Sequence, residues 1–577
     1  MLSFLRNSLV LVLALSAASF AIDRNAFTFT TYDLEIRVAP DEQEMAGRGK
    51  ITLRNDSDKP QAEVALQISS SLEWRMIEMN GKPLEYLSEP QTTDIDHTGK
   101  VTEAIVTLPS PVGPKASVTL DVGYSGAMPA DATRLTRMQV PSDNASATDW
   151  DRVSTAFTGV RGIGHVAWYP ISVEPANLGY NTLFSTISQW QAREAAATMK
   201  TKLCWVTDED RSYTVVANGD FEGMSGDPNA GEGNRAGCSI YSFSNLQRTV
   251  PTFSMAPFGM LTRPSISLYF LTGHDSQAAD YALAAEKVQP LVESWFGKTK
   301  EKVQVVELPE GDDEPFDSGA MLFTPLNTHD TKQVEDAMAH QLTHAAFHSP
   351  RPWISEGLAS FASILVREQT DGRKVGLAYL NANLPVLIAA EKQNVDAAKP
   401  SGNAAQSLVA TNDEIYYRVK AAFVWEMLRA MVGDNALQAA LKNYRADEDK
   451  DPTYVQRLIA AQSKRDLEWF FDDWVYRDRG LPELKIESAV PRQTLNNSYV
   501  VAVTVENSGG AGAEIPVTVR SASGEWTEQL LVHAHQKETT RIVIAGDATS
   551  VEINQGTVPE GDASDDRVEL KAASPSP

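Results

Sequence analysis

The sequence predicts a multidomain α+β protein, with an N-terminal antiparallel β domain, a mainly helical middle domain and a C-terminal β-sandwich. Three observations predict it. Apolar and polar residues alternate with the period of a strand through the first half, the period turns helical from about Tyr281, and alternation returns after Gly480-Leu481-Pro482. A chain of 577 residues, 42% of them apolar, can build several cores, and length alone implies about three or four domains.

The elements follow in chain order. Residues 1–21 are expected to be a secretory signal peptide. Arg6 precedes the apolar run from Leu9 to Leu15, and Ser19-Phe20-Ala21 places small residues at both positions before a cut. The run is too short to span a bilayer, and no later stretch reaches about 20 apolar residues. A secreted or periplasmic chain is therefore expected, without stable membrane insertion after cleavage. The span 22–280 reads as the N-terminal β domain, with strands at Tyr32–Val38, Val118–Val122, Tyr213–Val216 and Ile266–Phe270. A Gly-rich loop from Gly219 to Gly237 lacks a phosphate-binding pattern and reads as an excursion. Cys204 and Cys238 are the only cysteines. In an oxidising compartment an even pair suits a disulfide, the alternative being two buried thiols, and neither has a neighbour at zinc-ligand spacing.

The span 281–482 reads as the helical domain, with Ala282–Trp295, a helix from Thr331, Val419–Met431 and Asn435–Tyr444 as its clearest pieces. Tyr499–Val505 and Ile515–Val519 alternate again, which makes 483–556 a β-sandwich. The polar remainder, 557–577, is expected to be a disordered tail. A formal net charge of −25 excludes nucleic acid and anionic membrane as partners.

The chemistry is concentrated in His340-Gln341-Leu342-Thr343-His344. Asp330 is a plausible N-cap with Gln333 at the capping-box position, and Pro350 and Pro352 stop the helix. Two histidines four apart on a helix share one face about 6 Å apart, so both imidazoles reach a single tetrahedral Zn²⁺. Downstream, Trp353-Ile354-Ser355-Glu356-Gly357-Leu358-Ala359-Ser360-Phe361 is an apolar helical pattern carrying one acid, which is costly on an inner face unless paired or metal-bound. His348 continues the stripe. It lies about 12 Å from His340 along the axis, too far for one ion to take all three, so it reads as a helix C-terminal cation or an outer-sphere group. Glu335 and Asp336 sit a turn or more before His340, too far back to act as a base.

This arrangement resembles the gluzincin zinc metallopeptidases of the membrane alanine aminopeptidase type. The resemblance implies a thermolysin-like middle domain, with His340, His344 and Glu356 as the protein ligands of Zn²⁺ and the fourth position left to water or substrate. Eleven residues separate His344 from Glu356, a shorter connection than that family has. Gly319-Ala320-Met321-Leu322-Phe323 stands where the family has Gly-Ala-Met-Glu-Asn, which implies an edge strand whose Gly319, Ala320 and Met321 backbone pairs with an extended peptide. Leu322 replaces the glutamate that holds a substrate's amino terminus, which argues against strict exopeptidase specificity. Tyr416-Tyr417-Arg418-Val419-Lys420-Ala421-Ala422 resembles the Tyr-x-Lys-Gly-Ala helix start with its spacing off by one, so the oxyanion role falls to Tyr417 or to Tyr416.

One substitution decides the expected activity. Gln341 replaces the glutamate that takes a proton from the attacking water, and a neutral carboxamide cannot do so. General-base catalysis contributes about 10²- to 10⁴-fold, so hydrolysis of peptides or proteins is expected to be weak or absent while zinc binding persists. The alternative is a non-catalytic, zinc-stabilised peptide-binding or scaffold protein.

Overall fold

Alternation in the first half builds antiparallel sheets. In the computed structural model, which describes residues 22–570 except 181, 208–209, 227–234, 328–329, 402–406, 412 and 495–497, an eight-stranded sheet runs in the order Asp220–Ser225, Arg235–Phe243, Thr198–Thr207, Phe27–Ala39, Glu44–Asn55, Ser117–Ala127, Glu73–Met79 and Lys82–Pro83. Only the pairing of Phe27–Ala39 with Thr198–Thr207 is parallel among these strands. A smaller sheet of Gln61–Ser69, Lys100–Val112 and Tyr86–Thr92 shares its core, in which Phe29, Tyr32, Leu66 and Trp168 are buried. Cys204 and Cys238 stand directly opposite in neighbouring strands and are disulfide-bonded. The expected signal peptide, residues 1–21, lies outside the described residues, and no helix among those described is long and apolar enough to cross a membrane.

Glu194, the last residue of the helix Leu183–Glu194, is buried in this domain, and burial pushes its carboxyl up to about 8 against the opposing charge of Arg193. Its folded-state pKa exceeds the ordinary carboxylate value, so the folded chain holds a proton that the unfolded chain has released. The stabilising contribution is complete below about pH 4.5 and is lost as pH rises through about 8. Glu194→Gln, which keeps the neutral form at every pH, is expected to flatten this decline between pH 5 and 8. Urea midpoints of both proteins across that window check it.

A further sheet begins before the helices of the middle span. Gly259–Thr262 and Ile266–Phe270, expected in the N-terminal β domain, belong to a five-stranded sheet in the order Gly259–Thr262, Ile266–Phe270, Val303–Glu307, Met321–Thr324, Phe316–Ser318. The first helix of that span, Asp275–Phe296, contains the expected Ala282–Trp295 and starts seven residues before it. Helix Thr331–Ala346 packs against Val303–Glu307 of this sheet, helix Pro352–Asp371 packs on Thr331–Ala346, and a π-helical turn, Ile415–Lys420, leads into helix Ala421–Val432. Trp353 stacks on Trp425 with ring centroids 5.2 Å apart. Gly357 lets these helices meet: a Cβ there would lie 2.6 Å from the Ala421 Cβ and 3.0 Å from the Trp425 indole nitrogen. Gly357→Ala is therefore expected to destabilise by about 1–2 kcal/mol in urea melts, although alanine is the better helix former by about 1 kcal/mol.

Beyond the helices, Leu484–Gln493, Ser498–Asn507 and Gln536–Ala545 form one sheet, and Gly524–Val532, Ala513–Ser521, Ala548–Ile553 and Arg567–Glu569 the other. Their facing residues, Val503, Val517, Ile542 and Val551 among them, continue the helical domain's core without a break. Order also extends past 556, into the expected tail. Val558 is buried, and Arg567–Glu569 pairs with Ala548–Ile553, an apolar anchor and a short strand that the polar composition between them concealed. Residues 571–577 lie outside the described residues.

Candidate metal centre

The helix Thr331–Ala346 starts as its sequence dictates: the Asp330 carboxylate caps it by accepting the Lys332 amide at 2.9 Å. It ends at Ala346, and Pro352 opens the next helix from its first position, where a missing amide costs nothing. The two helices present His340, His344 and Glu356 to one another. The His340 and His344 Nε2 atoms are 3.2 Å apart, and the Glu356 oxygens lie 3.7 and 3.5 Å from them. Bonds of about 2.0–2.1 Å to a tetrahedral zinc require ligand atoms about 3.3 Å apart, so this triangle fits the ion. Glu356 Oε2 is buried and makes no hydrogen bond, and its close charged neighbours are His340 Nε2 at 3.7 Å and Arg418 Nε at 3.1 Å.

Electrostatics reinforce the donor set. Burial, with the neighbouring His344, pushes His340 down to about 4, which favours the neutral imidazole a metal needs. Burial also disfavours charge on Glu356, but the charges of His344 and Arg418 outweigh it and hold the carboxyl well below its usual range. For His344 the order reverses: burial lowers it, yet the charge and hydrogen bond of Glu356 carry it above its ordinary value.

Two residues at this centre escaped the sequence reading. Asp317 joins His340, His344 and Glu356 in a group whose ligand atoms all lie within 4.8 Å of one another. Arg418 approaches both carboxylates, with Nε 3.1 Å from Glu356 Oε2 and Nη2 3.1 and 3.3 Å from the two Asp317 oxygens. The signal for Arg418 was the misfit in spacing, since a π-helical turn holds one residue more than an α turn and shifts which side chain faces inward. Tyr416 points elsewhere; its hydroxyl accepts the Asn394 amide at 3.1 Å. Tyr417 is half-buried against the core, and burial followed by the Glu414 charge raises its hydroxyl above the ordinary range, keeping it a neutral donor.

Gln341 is 2% exposed, and its side-chain oxygen has no hydrogen-bond partner. Glu335 and Asp336 are engaged elsewhere, with Lys287 and Arg367. His348 falls beyond the helix end, where its Nε2 lies 3.0 Å from Glu301. A cavity of about 200 Å³ adjoins the centre, lined by His340, Arg418, Ser360, Tyr379 and Asn383 among others.

The backbone of Gly319, Ala320 and Met321 is placed differently from the expectation. Met321–Thr324 is not an edge: Val303–Glu307 flanks it on one side, and the chain's own Phe316–Ser318 occupies the other, pairing Asp317 with Leu322. Peptide addition along that strand is therefore blocked. A second cluster of possible ligands, Asp149, Asp151 and His165, has its charge already met. Arg134 binds Asp149 through two nitrogens at 2.8 and 2.5 Å, and Arg161 binds Asp151 at 3.0 and 2.6 Å. That cluster is a buried ion-pair network.

No protein-family profile matches the chain, and no curated protein matches it in sequence. Solved structures similar to it are M1 zinc metallopeptidases at low identity. A mutant of the enzyme from Deinococcus radiodurans is 17% identical, with a TM-score of 0.48, covering 80% of this chain and 96% of that one. The same mutant bound to a Tyr-Ser-Ala substrate gives the same values. The enzyme without the mutation has a TM-score of 0.45 at 17% identity, covering 76% and 90%.

Proposed function

We propose that the chain is an exported, zinc-binding metallopeptidase homologue of the membrane alanine aminopeptidase type whose peptide-bond hydrolysis is weak or absent. The observation that carries this is the convergence of His340, His344 and Glu356, with the two imidazole Nε2 atoms 3.2 Å apart and one Glu356 oxygen 3.7 Å from His340 and the other 3.5 Å from His344. These residues would hold zinc, which when bound polarises a carbonyl oxygen as a Lewis acid. Tyr417, a neutral phenol, is assigned as the oxyanion donor. Gln341 donates and accepts hydrogen bonds but removes no proton, so the step worth about 10²- to 10⁴-fold has no residue to perform it. Peptides or proteins are the ligands this reading assigns, held at the metal ligands and the adjoining cavity.

A second reading is a non-catalytic protein that keeps zinc to hold its fold. The occupied strand beside Met321–Thr324 favours it, because the backbone ladder that would align a peptide is already filled. Zinc content and hydrolysis of a mixed peptide library, measured on the wild type and on Gln341→Glu, test the proposal. About one zinc in each, with cleavage absent or confined to the glutamate variant, supports it. Chelator-sensitive cleavage by the wild type overturns the loss of activity, and absence of zinc from both overturns the metal centre itself.

A further inference from the structure

We propose that Asp317 is a fourth protein ligand and that the zinc site is closed. The proposal rests on the zinc reading above and changes what the site can do. A zinc held by four side chains has a structural geometry, whereas a catalytic one keeps a position for water or substrate.

The fold delivers Asp317 to the metal from the opposite side of the helices. Phe316–Ser318 and Met321–Thr324 are antiparallel with Asp317 directly across from Leu322, and directly opposed residues project from the same face of a sheet. Leu322 packs into the core that the zinc helices share, while Met321 and Phe323 face the other way toward Trp150. Asp317 therefore faces His340, His344 and Glu356, and one of its oxygens lies within 4.8 Å of a ligand atom on each. A shift of at most about 1.5 Å brings a carboxylate from that separation to the spacing of about 3.3 Å within a tetrahedral shell.

The hairpin that carries Asp317 is anchored. Gly319 turns it with φ of +62°, a left-handed conformation that glycine adopts without strain. Beside it the Ser318 hydroxyl receives the Asn218 side chain at 3.1 Å and the Val250 amide at 3.2 Å. Arg418 then sets the orientation of the acid: its Nη2 contacts both Asp317 oxygens while its Nε lies against Glu356. Arg418 is a positioning residue here. It holds two carboxylates side by side, and two acids with two imidazoles form a complete donor set for Zn²⁺.

The test uses the full-length chain loaded with Co²⁺ in place of zinc, with acetohydroxamate as the probe for an open coordination position. Visible absorption of the wild type is expected to be that of a four-coordinate site and to stay unchanged when acetohydroxamate is added. Asp317→Ala is expected to respond to the probe and to bind Zn²⁺ at least about 100-fold more weakly in chelator competition, beyond the 10- to 100-fold loss of an outer-sphere partner. Asp317→Asn serves where the alanine variant folds poorly and is expected to weaken zinc in the same direction. A wild-type spectrum that shifts with acetohydroxamate overturns the closed site, as does an Asp317 variant with wild-type spectrum and zinc affinity. Absence of metal from the wild type overturns this proposal together with the zinc reading, whereas metal with an open position overturns this one alone.

Discussion

Peptide hydrolysis is expected to rise about 10²- to 10⁴-fold when Gln341→Glu is added to Asp317→Ala, the range a positioned general base contributes. Neither change alone is expected to produce it. The glutamate restores a proton acceptor between the two histidines, but a closed shell offers it no water to activate. The alanine opens the shell but leaves a carboxamide beside it. The two effects are therefore non-additive, as expected of groups that act as a unit. Initial rates on one fluorogenic peptide for the wild type, both single variants and the double variant, with and without chelator, measure the coupling. A double variant no faster than Asp317→Ala, despite full zinc loading, would show that something beyond the base and the open position is missing.

A loss of about 3–5 kcal/mol in unfolding free energy is expected for Lys420→Met. Lys420 is a fully buried cation at the end of the π-helical turn. Its ammonium lies 2.6 Å from Glu391 Oε1 and 2.7 Å from Asp478 Oδ1, and both acids are buried with it. Methionine keeps the length and the packing but removes the charge, which leaves two carboxylates facing each other away from water. Breaking a buried ion pair from one side costs about 3–5 kcal/mol, far more than an exposed pair is worth. A urea midpoint that falls at unchanged slope locates the loss in the folded state. Because Lys420 is two residues from Arg418, the zinc affinity of the variant is expected to fall as well.

Local periodicity made much of this molecule legible. Strands at Tyr32–Val38 and Ile266–Phe270 and the helices around His340 and Glu356 lie where apolar spacing put them, because burial on one face imposes a period of about 2.0 or 3.6 residues. What periodicity cannot carry is partnership. Ile266–Phe270 has the same pattern whichever sheet it joins, so its pairing with Val303–Glu307 could not be read from the sequence. Asp317 was invisible for the same reason: its value comes from lying opposite Leu322 and facing a helix 23 residues further along, and no local pattern encodes that. Arg418 was hidden by a different cause. Counting at 3.6 residues per turn fails through Ile415–Lys420, where the helix widens, and the count drew attention to the tyrosines beside it.

The hairpin of Phe316–Ser318 against Met321–Thr324 makes the chain a tethered competitor for its own sheet. Two residues, Gly319 and Ala320, join the strands, so the internal segment meets its partner at an effective concentration set by the link, in the millimolar range or above for short connections. A diffusing peptide at micromolar concentration loses that contest about a thousandfold before any side chain is read. An extended strand is thus kept off Met321–Thr324 by a segment of the chain itself, and the edge this sheet presents on that side is Phe316–Ser318.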